Sequence, residues 1–212
     1  MDRPFESSIR GEFLEHYQNG VLRYTYRGVP CLKSPIDVAI YLKLVWDVKP
    51  RTVIEVGTKA GGSAVLWADI LAIYSLPAHV YSIDLERPAG MTDKRISFLQ
   101  GDVRDLAPAF HRAGITAAPR PWLVTEDSAH TYDGCRAALH YLSTVMASGD
   151  VLVMEDGILA ELGLKERYQG GPSRAIAEFM TEQPGEFEIL RHYCDLFGPN
   201  ATYNPNGYLR KT

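Results

Sequence analysis

Three acidic residues follow two segments that have the composition of buried strands. Asp127 closes PWLVTED, and Glu155 and Asp156 close GDVLVMED. Because ligands collect at the carboxyl edge of a parallel sheet, two such strand ends can bring the three carboxylates together. Carboxylates without a cysteine or a pair of histidines favour Mg²⁺, Mn²⁺ or Ca²⁺ over zinc. The pattern predicts a divalent-metal site in an enzyme whose metal activates an oxygen.

The two adjacent acids can share one ion only under a geometric condition. Neighbouring residues of a strand point to opposite faces, so Glu155 and Asp156 can converge only where the strand has ended. Gly157 follows them and makes a turn easy at that point. The alternative is that the acids cap helices or pair with arginines such as Arg136 and Arg174.

His130 stands three residues after Asp127, in the segment DSAH, and is predicted to lie at the start of a helix. A neutral imidazole beside a metal site can accept a proton near neutral pH. The position therefore predicts a general base. The alternative is a packed or solvent-facing histidine without a chemical role.

A glycine-rich turn in TVIEVGTKAGGSA joins a predicted strand to a helix. The segment does not match the dinucleotide fingerprint GxGxxG, because Lys59 stands where the second glycine must let the backbone approach a pyrophosphate. Gly57 provides a tight turn, Gly61 and Gly62 leave the backbone open, and Ser63 begins the helix. This arrangement suits a carboxylate or an amino acid above the helix N-terminus better than two phosphates.

Two further acids end the next two predicted strands, Asp84 in VYSID and Asp102 in ISFLQGD. Asp84 is placed to accept hydrogen bonds from two ribose hydroxyls, and Asp102 to bind the edge of an adenine. The alternatives are that Asp84 caps a turn and that Asp102 is the N-cap of the following helix. Because both acids lie at the carboxyl ends of consecutive strands, together they favour a nucleoside pocket.

Strands and helices alternate along most of the chain, which predicts a parallel sheet covered on both faces. Strands are predicted at 51–57, 80–84, 96–102, 121–127, 150–156, 187–193 and 206–212, and helices at 34–48, 63–74, 106–113, 131–146 and 172–182. The last two strands have no predicted helix between them and should pair antiparallel. We therefore expect an α/β fold, a doubly wound, mostly parallel seven-stranded sheet with an antiparallel terminal strand. This is the layout of class I, Rossmann-like methyltransferases that use S-adenosylmethionine.

Composition limits the partners and the location. The 212 residues carry a net charge of −4, which argues against a nucleic-acid surface and for a small-molecule substrate. Three cysteines lie far apart, which indicates free thiols in a reducing compartment. The sequence shows no secretion signal and no run long enough to cross a bilayer, so a cytoplasmic protein without a membrane partner is expected.

Five short motifs together resemble the family named after cephalosporin hydroxylase. They are ExGTxxGGSA at 55–64, SID at 82–84, GD at 101–102, EDSAH at 126–130 and MEDG at 154–157. The segment RGVPCLKSPIDVAIY at 27–41 is also similar, so the resemblance spans most of the chain. Better understood members of that family look like metal-dependent O-methyltransferases that act on macrolide sugars, rhamnosyl groups and cephem rings.

The resemblance implies a role for each matching residue. It assigns Mg²⁺ (or Mn²⁺) to Asp127, Glu155 and Asp156, the general base to His130, and S-adenosylmethionine to Gly57, Ser63, Asp84 and Asp102. It implies a hydroxyl acceptor of the sugar, polyketide or β-lactam type in secondary metabolism such as antibiotic biosynthesis. Residues 34–212 would form the methyltransferase domain. Residues 1–33 and the loop 158–171 do not match the family closely enough for a role to be carried over, and residues 1–33 are expected to contact the substrate or another subunit of a homo-oligomer. The loop 158–171 could close over the acceptor.

Two other functions fit parts of the pattern. An NAD-dependent oxidoreductase uses a similar sheet, but Lys59 and the antiparallel chain end count against it. A nucleoside-binding protein without catalysis would keep the features from Gly57 to Asp102, yet it would not need the acidic cluster.

Overall fold

The computed structural model describes residues 3–212, which form nine strands and seven α-helices. The strands are β1 Thr25–Tyr26, β2 Val29–Pro30, β3 Thr52–Val56, β4 His79–Asp84, β5 Ile96–Gln100, β6 Trp122–Glu126, β7 Val151–Met154, β8 Phe187–Ile189 and β9 Tyr208–Lys211. The helices are α1 Gly11–Val21, α2 Pro35–Val48, α3 Gly62–Ile73, α4 Ala107–Ala113, α5 Tyr132–Val145, α6 Gly171–Glu182 and α7 Arg191–Cys194. Short 3₁₀ helices span Ile115–Ala117 and Gly157–Ala160.

Seven strands form the central sheet in the order β5-β4-β3-β6-β7-β9-β8. Strands β3 to β7 run parallel, whereas β9 lies between β7 and β8 and is antiparallel to both. The predicted fold class is therefore confirmed. The strand order reverses between β3 and β6, and this reversal opens a crevice at the carboxyl ends of these strands, where ligands bind in such sheets.

The chain end differs from the predicted pair of strands in one respect. The expected antiparallel pairing of β8 with β9 is present, with Phe187 opposite Lys211. However, β8 ends at Ile189, and the next residues form helix α7. Adjacent Tyr193 and Cys194 are both buried, which a strand with one solvent-facing side cannot achieve, because its neighbouring side chains point to opposite faces.

Two apolar clusters hold the central strands in place. On one face, α2 and α3 contribute Tyr41 and Trp67, whose ring centroids lie 4.8 Å apart. On the other face, Phe110 of α4, Leu139 of α5 and Phe179 of α6 are fully buried against the sheet. Each buried side chain of this size contributes about 1.5–3 kcal/mol of hydrophobic free energy. The strand ends that carry the acids therefore project from a densely packed scaffold.

Helix boundaries follow the capping residues of the sequence. The Ser34 side chain accepts a hydrogen bond from the backbone N–H of Asp37, and Pro35 is the first residue of α2, as predicted. Thr131 caps α5 in the same way through the N–H of Gly134. The other predicted strands and helices are confirmed, with shifts of at most two residues at their ends.

Residues 3–33 contain more structure than the sequence predicted. Helix α1 buries Leu14 and Val21 in a third apolar cluster with Ile158 and Tyr203, and the hairpin β1–β2 follows it. This segment thus packs beside the carboxyl edge of the sheet. In the part of the chain that the structure describes, we find no helix with the length and apolar character that a membrane crossing requires.

Candidate active site

A cavity of about 740 Å³ opens at the carboxyl ends of the central strands. Seven of the nine predicted site residues line it: Gly57, Ser63, Asp84, Asp102, Asp127, His130 and Asp156. The other two, Gly61 and Glu155, lie behind the cavity wall. Gly61 is the N-cap of α3, and its α-carbon faces Met91 and Phe98.

Gly57 allows the loops after β3 and β6 to approach each other closely. Its φ is +94°, and a β-carbon at this position would lie 2.2 Å from the backbone oxygen of Asp127. The Gly57 N–H donates to the Ile83 carbonyl oxygen at 2.8 Å. Glycine is therefore required at the point where the predicted cofactor turn touches the predicted metal site.

Asp84 and Asp102 both line the cavity, and both are also bound to their own loops. Oδ2 of Asp84 accepts the backbone N–H groups of Thr58 at 2.8 Å and Lys59 at 2.7 Å, so the turn-capping alternative is correct for this residue. Asp102 accepts the N–H and the guanidinium of Arg104 rather than capping α4. A carboxylate has about four lone-pair sites, so both residues keep acceptor capacity for a ligand.

Asp127, His130 and Asp156 form a cluster of potential metal ligands. Each offers one ligand atom, and these atoms lie within 4.8 Å of one another. Nε2 of His130 is 3.4 Å from Oδ2 of Asp156 and 3.9 Å from Oδ1 of Asp127. Two carboxylates and an imidazole, all half-buried, are a donor set that a divalent cation such as Mg²⁺ or Mn²⁺ can use.

His130 does not lie at the start of a helix, as the sequence suggested, but in the turn before α5. Its φ is +54°, a left-handed conformation, and the helix begins at Tyr132. Within the described residues, the buried Nδ1 atom of His130 has no hydrogen-bond partner. The imidazole is consequently fixed by its backbone turn and by the carboxylates that face Nε2.

Glu155 does not line the cavity and is only 3% exposed. Its Oε2 accepts the Tyr41 hydroxyl at 2.8 Å, and its Oε1 accepts the Lys33 ammonium at 2.7 Å. The same Nζ of Lys33 donates to Oδ2 of Asp127 at 2.5 Å. Strand β7 ends at Met154, as the shared-ion hypothesis required, but the turn directs only Asp156 into the cavity. Glu155 is joined to Asp127 through Lys33.

Burial and neighbouring charges shift the pKa values of Glu155, Asp156 and His130. Burial raises the pKa of Glu155, against the opposing effect of Lys33, and it raises the pKa of Asp156 to about 6, against that of His130. For His130, burial lowers the pKa, but Asp156 and Asp127 outweigh it and raise the pKa above its ordinary value. Carboxylates are thus concentrated where solvent stabilises their charge poorly, an environment that favours bound cations.

Two residues of the site were not predicted from the sequence. Lys33 immediately precedes the N-cap of α2. It lies in the segment 27–41 that resembles the family, and this resemblance was the feature of the sequence that could have identified it. Asn204 lies in the loop between α7 and β9, and no motif marked it. Its Oδ1 accepts the backbone N–H of Asp156 at 2.9 Å, and its Nδ2 donates to the Tyr41 hydroxyl at 3.0 Å.

The alternative in which Arg136 and Arg174 neutralise the site acids is wrong. Arg136 donates to Glu182 at 2.8 Å, and Arg174 donates to Glu178 at 2.8 Å, on the outer surface of α5 and α6. The site acids are instead paired with Lys33 and with His130.

The cavity wall opposite the strand ends is largely apolar. It is formed by α1 and its C-terminal end, by the loop 158–171 and by one tyrosine of the α7–β9 loop: Gln18, Val21, Leu22, Leu159, Leu162, Leu164, Tyr168 and Tyr203. One half of the cavity is therefore lined by carboxylates and backbone turns, and the other half by leucine and tyrosine side chains.

Comparison with known proteins places this architecture in a family. The profile of the family described as rhamnosyl O-methyltransferase/CmcI matches residues 18–212. Rhamnosyl O-methyltransferase from Mycobacterium leprae (strain TN) is 30% identical over 215 residues, which cover 98% of this chain and 92% of that protein. An apo structure of CmcI is 25% identical, with a TM-score of 0.67 over 90% of this chain and 77% of that one. A CmcI structure with Mg and SAM has the same fold, with a TM-score of 0.68 at 23% identity over the same shares of the two chains. The chain belongs to the rhamnosyl O-methyltransferase/CmcI family.

Proposed function

We propose that this O-methyltransferase transfers the methyl group of S-adenosylmethionine to a sugar hydroxyl of a small molecule, with Mg²⁺ as its metal. One observation carries the proposal. A single cavity holds the glycine-rich turn, the two acids at the ends of β4 and β5, and the cluster of Asp127, His130 and Asp156. A relative named rhamnosyl O-methyltransferase and a CmcI structure with Mg and SAM support the same substrate and cofactor classes.

The cofactor end of the cavity is assigned to the loops after β3, β4 and β5. Gly57 and Ser63 flank the N-terminus of α3 and receive the amino-acid part of the cofactor, with Gly61 shaping the turn. Asp84 accepts the ribose hydroxyls, and Asp102 binds the adenine edge. The proposal draws support from the position of both acids on the cavity wall and from their remaining lone pairs.

The metal end is assigned to Asp127, Glu155 and Asp156. Asp127 and Asp156 face the cavity, whereas Glu155 is linked to Asp127 through the Lys33 ammonium and would join them by turning its Oε1 away from Lys33. Carboxylate oxygens from these acids would suit a hard divalent cation. Such a cation, when bound, supplies Lewis-acid stabilisation to the anionic form of the acceptor oxygen.

His130 is assigned the proton transfer. Its Nε2 faces the two carboxylates at the cavity floor, where the acceptor hydroxyl must lie for attack on the methyl carbon. The imidazole removes the hydroxyl proton as the oxygen–carbon bond forms and S-adenosylhomocysteine leaves. The leucine-lined wall, including Leu159 and Leu162 of the loop 158–171, orients the acceptor and excludes water.

The test is methyl transfer to defined acceptors. The purified protein is incubated with S-adenosylmethionine and a panel of rhamnosides, macrolide sugars and β-lactam hydroxyl compounds from secondary metabolism, and mass spectrometry detects the added methyl group. We expect methylation of a sugar hydroxyl that stops with EDTA and returns with Mg²⁺. Methylation at full rate in EDTA would contradict the proposed role of the metal. Methylation of the non-sugar acceptors alone would contradict the proposed sugar substrate.

We further propose that residues 1–33 serve the methyltransferase domain at 34–212 by closing the acceptor side of the cavity. Gln18, Val21 and Leu22 support this assignment because they line the cavity wall. A homo-oligomer stays a prediction of the sequence, and light scattering on the purified protein tests it.

A further inference from the structure

We propose that the Lys33 ammonium competes with the divalent cation for Asp127 and Glu155 and so sets the metal affinity of the site. The inference rests on the proposed function, because it assumes that these acids hold Mg²⁺. It assigns to Lys33 a positioning role: the side chain holds two carboxylates together and gives them up when the ion binds.

Lys33 forms the shortest cationic contacts of the cluster. Its Nζ lies 2.5 Å from Oδ2 of Asp127 and 2.7 Å from Oε1 of Glu155, so the two oxygens are held on either side of one positive charge. The Lys33 side chain is 2% exposed, and solvent cannot take over the role of either carboxylate. A cation between two acidic oxygens is the arrangement that a metal ion would also adopt with them.

Helix α2 fixes this ammonium in place. The Lys33 N–H donates to the Cys31 carbonyl oxygen at 2.8 Å, directly before the cap at Ser34. Within α2, Tyr41 donates to the other oxygen of Glu155 at 2.8 Å. Glu155 therefore has one oxygen engaged by Lys33, which precedes α2, and the other by Tyr41 of α2, and it can turn toward an ion only by releasing or sharing the Lys33 bond.

Electrostatic repulsion favours release of the carboxylates by Lys33 when Mg²⁺ binds. Mg²⁺ and an ammonium repel each other, and in a buried site this repulsion is screened much less than at the surface. Without any cation between them, the carboxylates of Asp127 and Glu155 would repel each other. Lys33 thus stabilises the site before the ion arrives, and the cost of displacing it lowers the affinity for the ion.

The experiment is a calorimetric titration of the full-length protein with Mg²⁺ alone, without cofactor or acceptor. Lys33→Met removes the charge at nearly constant volume and should bind Mg²⁺ about 10-fold more tightly, at the lower end of the effect of residues that surround metal ligands. Lys43→Met is the matched control, because Lys43 is a half-exposed lysine of α2 that pairs with Asp47, outside the site. The control should bind Mg²⁺ as the wild type does.

A second variant keeps the test decisive if Lys33→Met fails to fold. Lys33→Arg retains the charge and can bind both carboxylates through two N–H groups, so Mg²⁺ should bind more weakly than in the wild type. The proposed competition is contradicted if Lys33→Met binds Mg²⁺ no more tightly than the wild type. It is also contradicted if Lys33→Arg binds Mg²⁺ as tightly as the wild type or more tightly. If the wild type itself binds no Mg²⁺, the metal site of the proposed function fails together with it. The two failures are therefore distinguishable.

Discussion

The chemistry of the site depends on four consecutive residues, 127–130, that follow a buried strand. Asp127 leaves β6 beside Gly57, and the chain then turns so that His130 adopts a left-handed conformation with Nε2 toward the carboxylates. Such a conformation is uncommon for residues other than glycine, although histidine, like asparagine and aspartate, adopts it more often than most. The turn therefore carries a small conformational cost, and it places an imidazole where an acceptor proton must be removed.

His130→Gln tests the general base. Glutamine keeps polar atoms at the same reach but cannot accept a proton near neutral pH, so kcat should fall about 10²- to 10⁴-fold. Steady-state kinetics measure this fall, and a calorimetric titration should show Mg²⁺ affinity within about threefold of the wild type, less than the loss typical even of residues that only support metal ligands. A kcat that is unchanged, or a loss confined to Mg²⁺ affinity, would make His130 a ligand or a bystander rather than the base.

At the scale of the element, the sequence correctly predicted those strands and helices whose positions depend on local residue patterns. Strands β3, β6 and β7 are fully buried and largely apolar, and acids mark the ends of β6 and β7. Caps such as Ser34 fixed the helix starts. The directions of Glu155 and Lys33 could not be predicted, because they arise from a contact between residues more than a hundred positions apart. Asn204 escaped notice for the same reason, since its partner is a backbone N–H of a distant turn.

The loop between α7 and β9 supports the metal site through Asn204. Asp156 has a φ of +59°, and its N–H is satisfied only by the Asn204 side chain among the described residues. Asn204→Ala should leave this N–H without a partner, cost about 1–3 kcal/mol of unfolding free energy and weaken Mg²⁺ binding. Denaturant unfolding and calorimetry measure the two effects.

Ser7→Ala is the control for this prediction. The Ser7 hydroxyl donates to the carbonyl oxygens of Asn200 and Thr202 in the same loop, so its loss destabilises the loop without touching Asp156. We expect reduced stability with unchanged Mg²⁺ affinity. If both variants lose Mg²⁺ affinity in proportion to stability, Asn204 has a general structural role and does not position the metal ligand.

Gly57 joins the two loops that carry the cofactor turn and the metal site. Gly57→Ala forces a β-carbon against the Asp127 backbone, whereas Gly149→Ala introduces the same residue at a similar φ, +92°, with no atom within 4 Å. The strain of the left-handed backbone, about 1–2 kcal/mol, should appear in both variants. Only Gly57→Ala should lower the unfolding free energy by more than this amount, and only this variant should bind Mg²⁺ and cofactor more weakly. Equal unfolding free energies for the two variants would show that the loops can separate at little cost.

At the scale of the whole molecule, the sheet brings two binding functions into one cavity. The cofactor loops follow β3, β4 and β5, the acids follow β6 and β7, and the N-terminal helix closes the opposite wall. A ligand that binds only the folded state raises its stability by mass action, by about 2.7 kcal/mol at a concentration 100 times its Kd. The thermal stability of the protein therefore reports occupation of each part of the cavity.

This linkage separates metal binding from cofactor binding in a single variant. Mg²⁺ and S-adenosylmethionine, each at about 100 times its Kd, should raise the Tm of the wild type by about 5–10 °C, given about 2–4 °C per kcal/mol for a chain of this size. In Asp156→Asn, the amide tolerates the left-handed backbone but lacks the charge, so the Mg²⁺ increment should vanish while the cofactor increment remains. Asp133→Asn, at an exposed acid in the first turn of α5, should keep both increments. In residues 3–212, the cluster around His130 contains only two carboxylates, those of Asp127 and Asp156. If Asp156→Asn still showed the Mg²⁺-dependent rise in Tm, the ion would therefore bind outside this cluster.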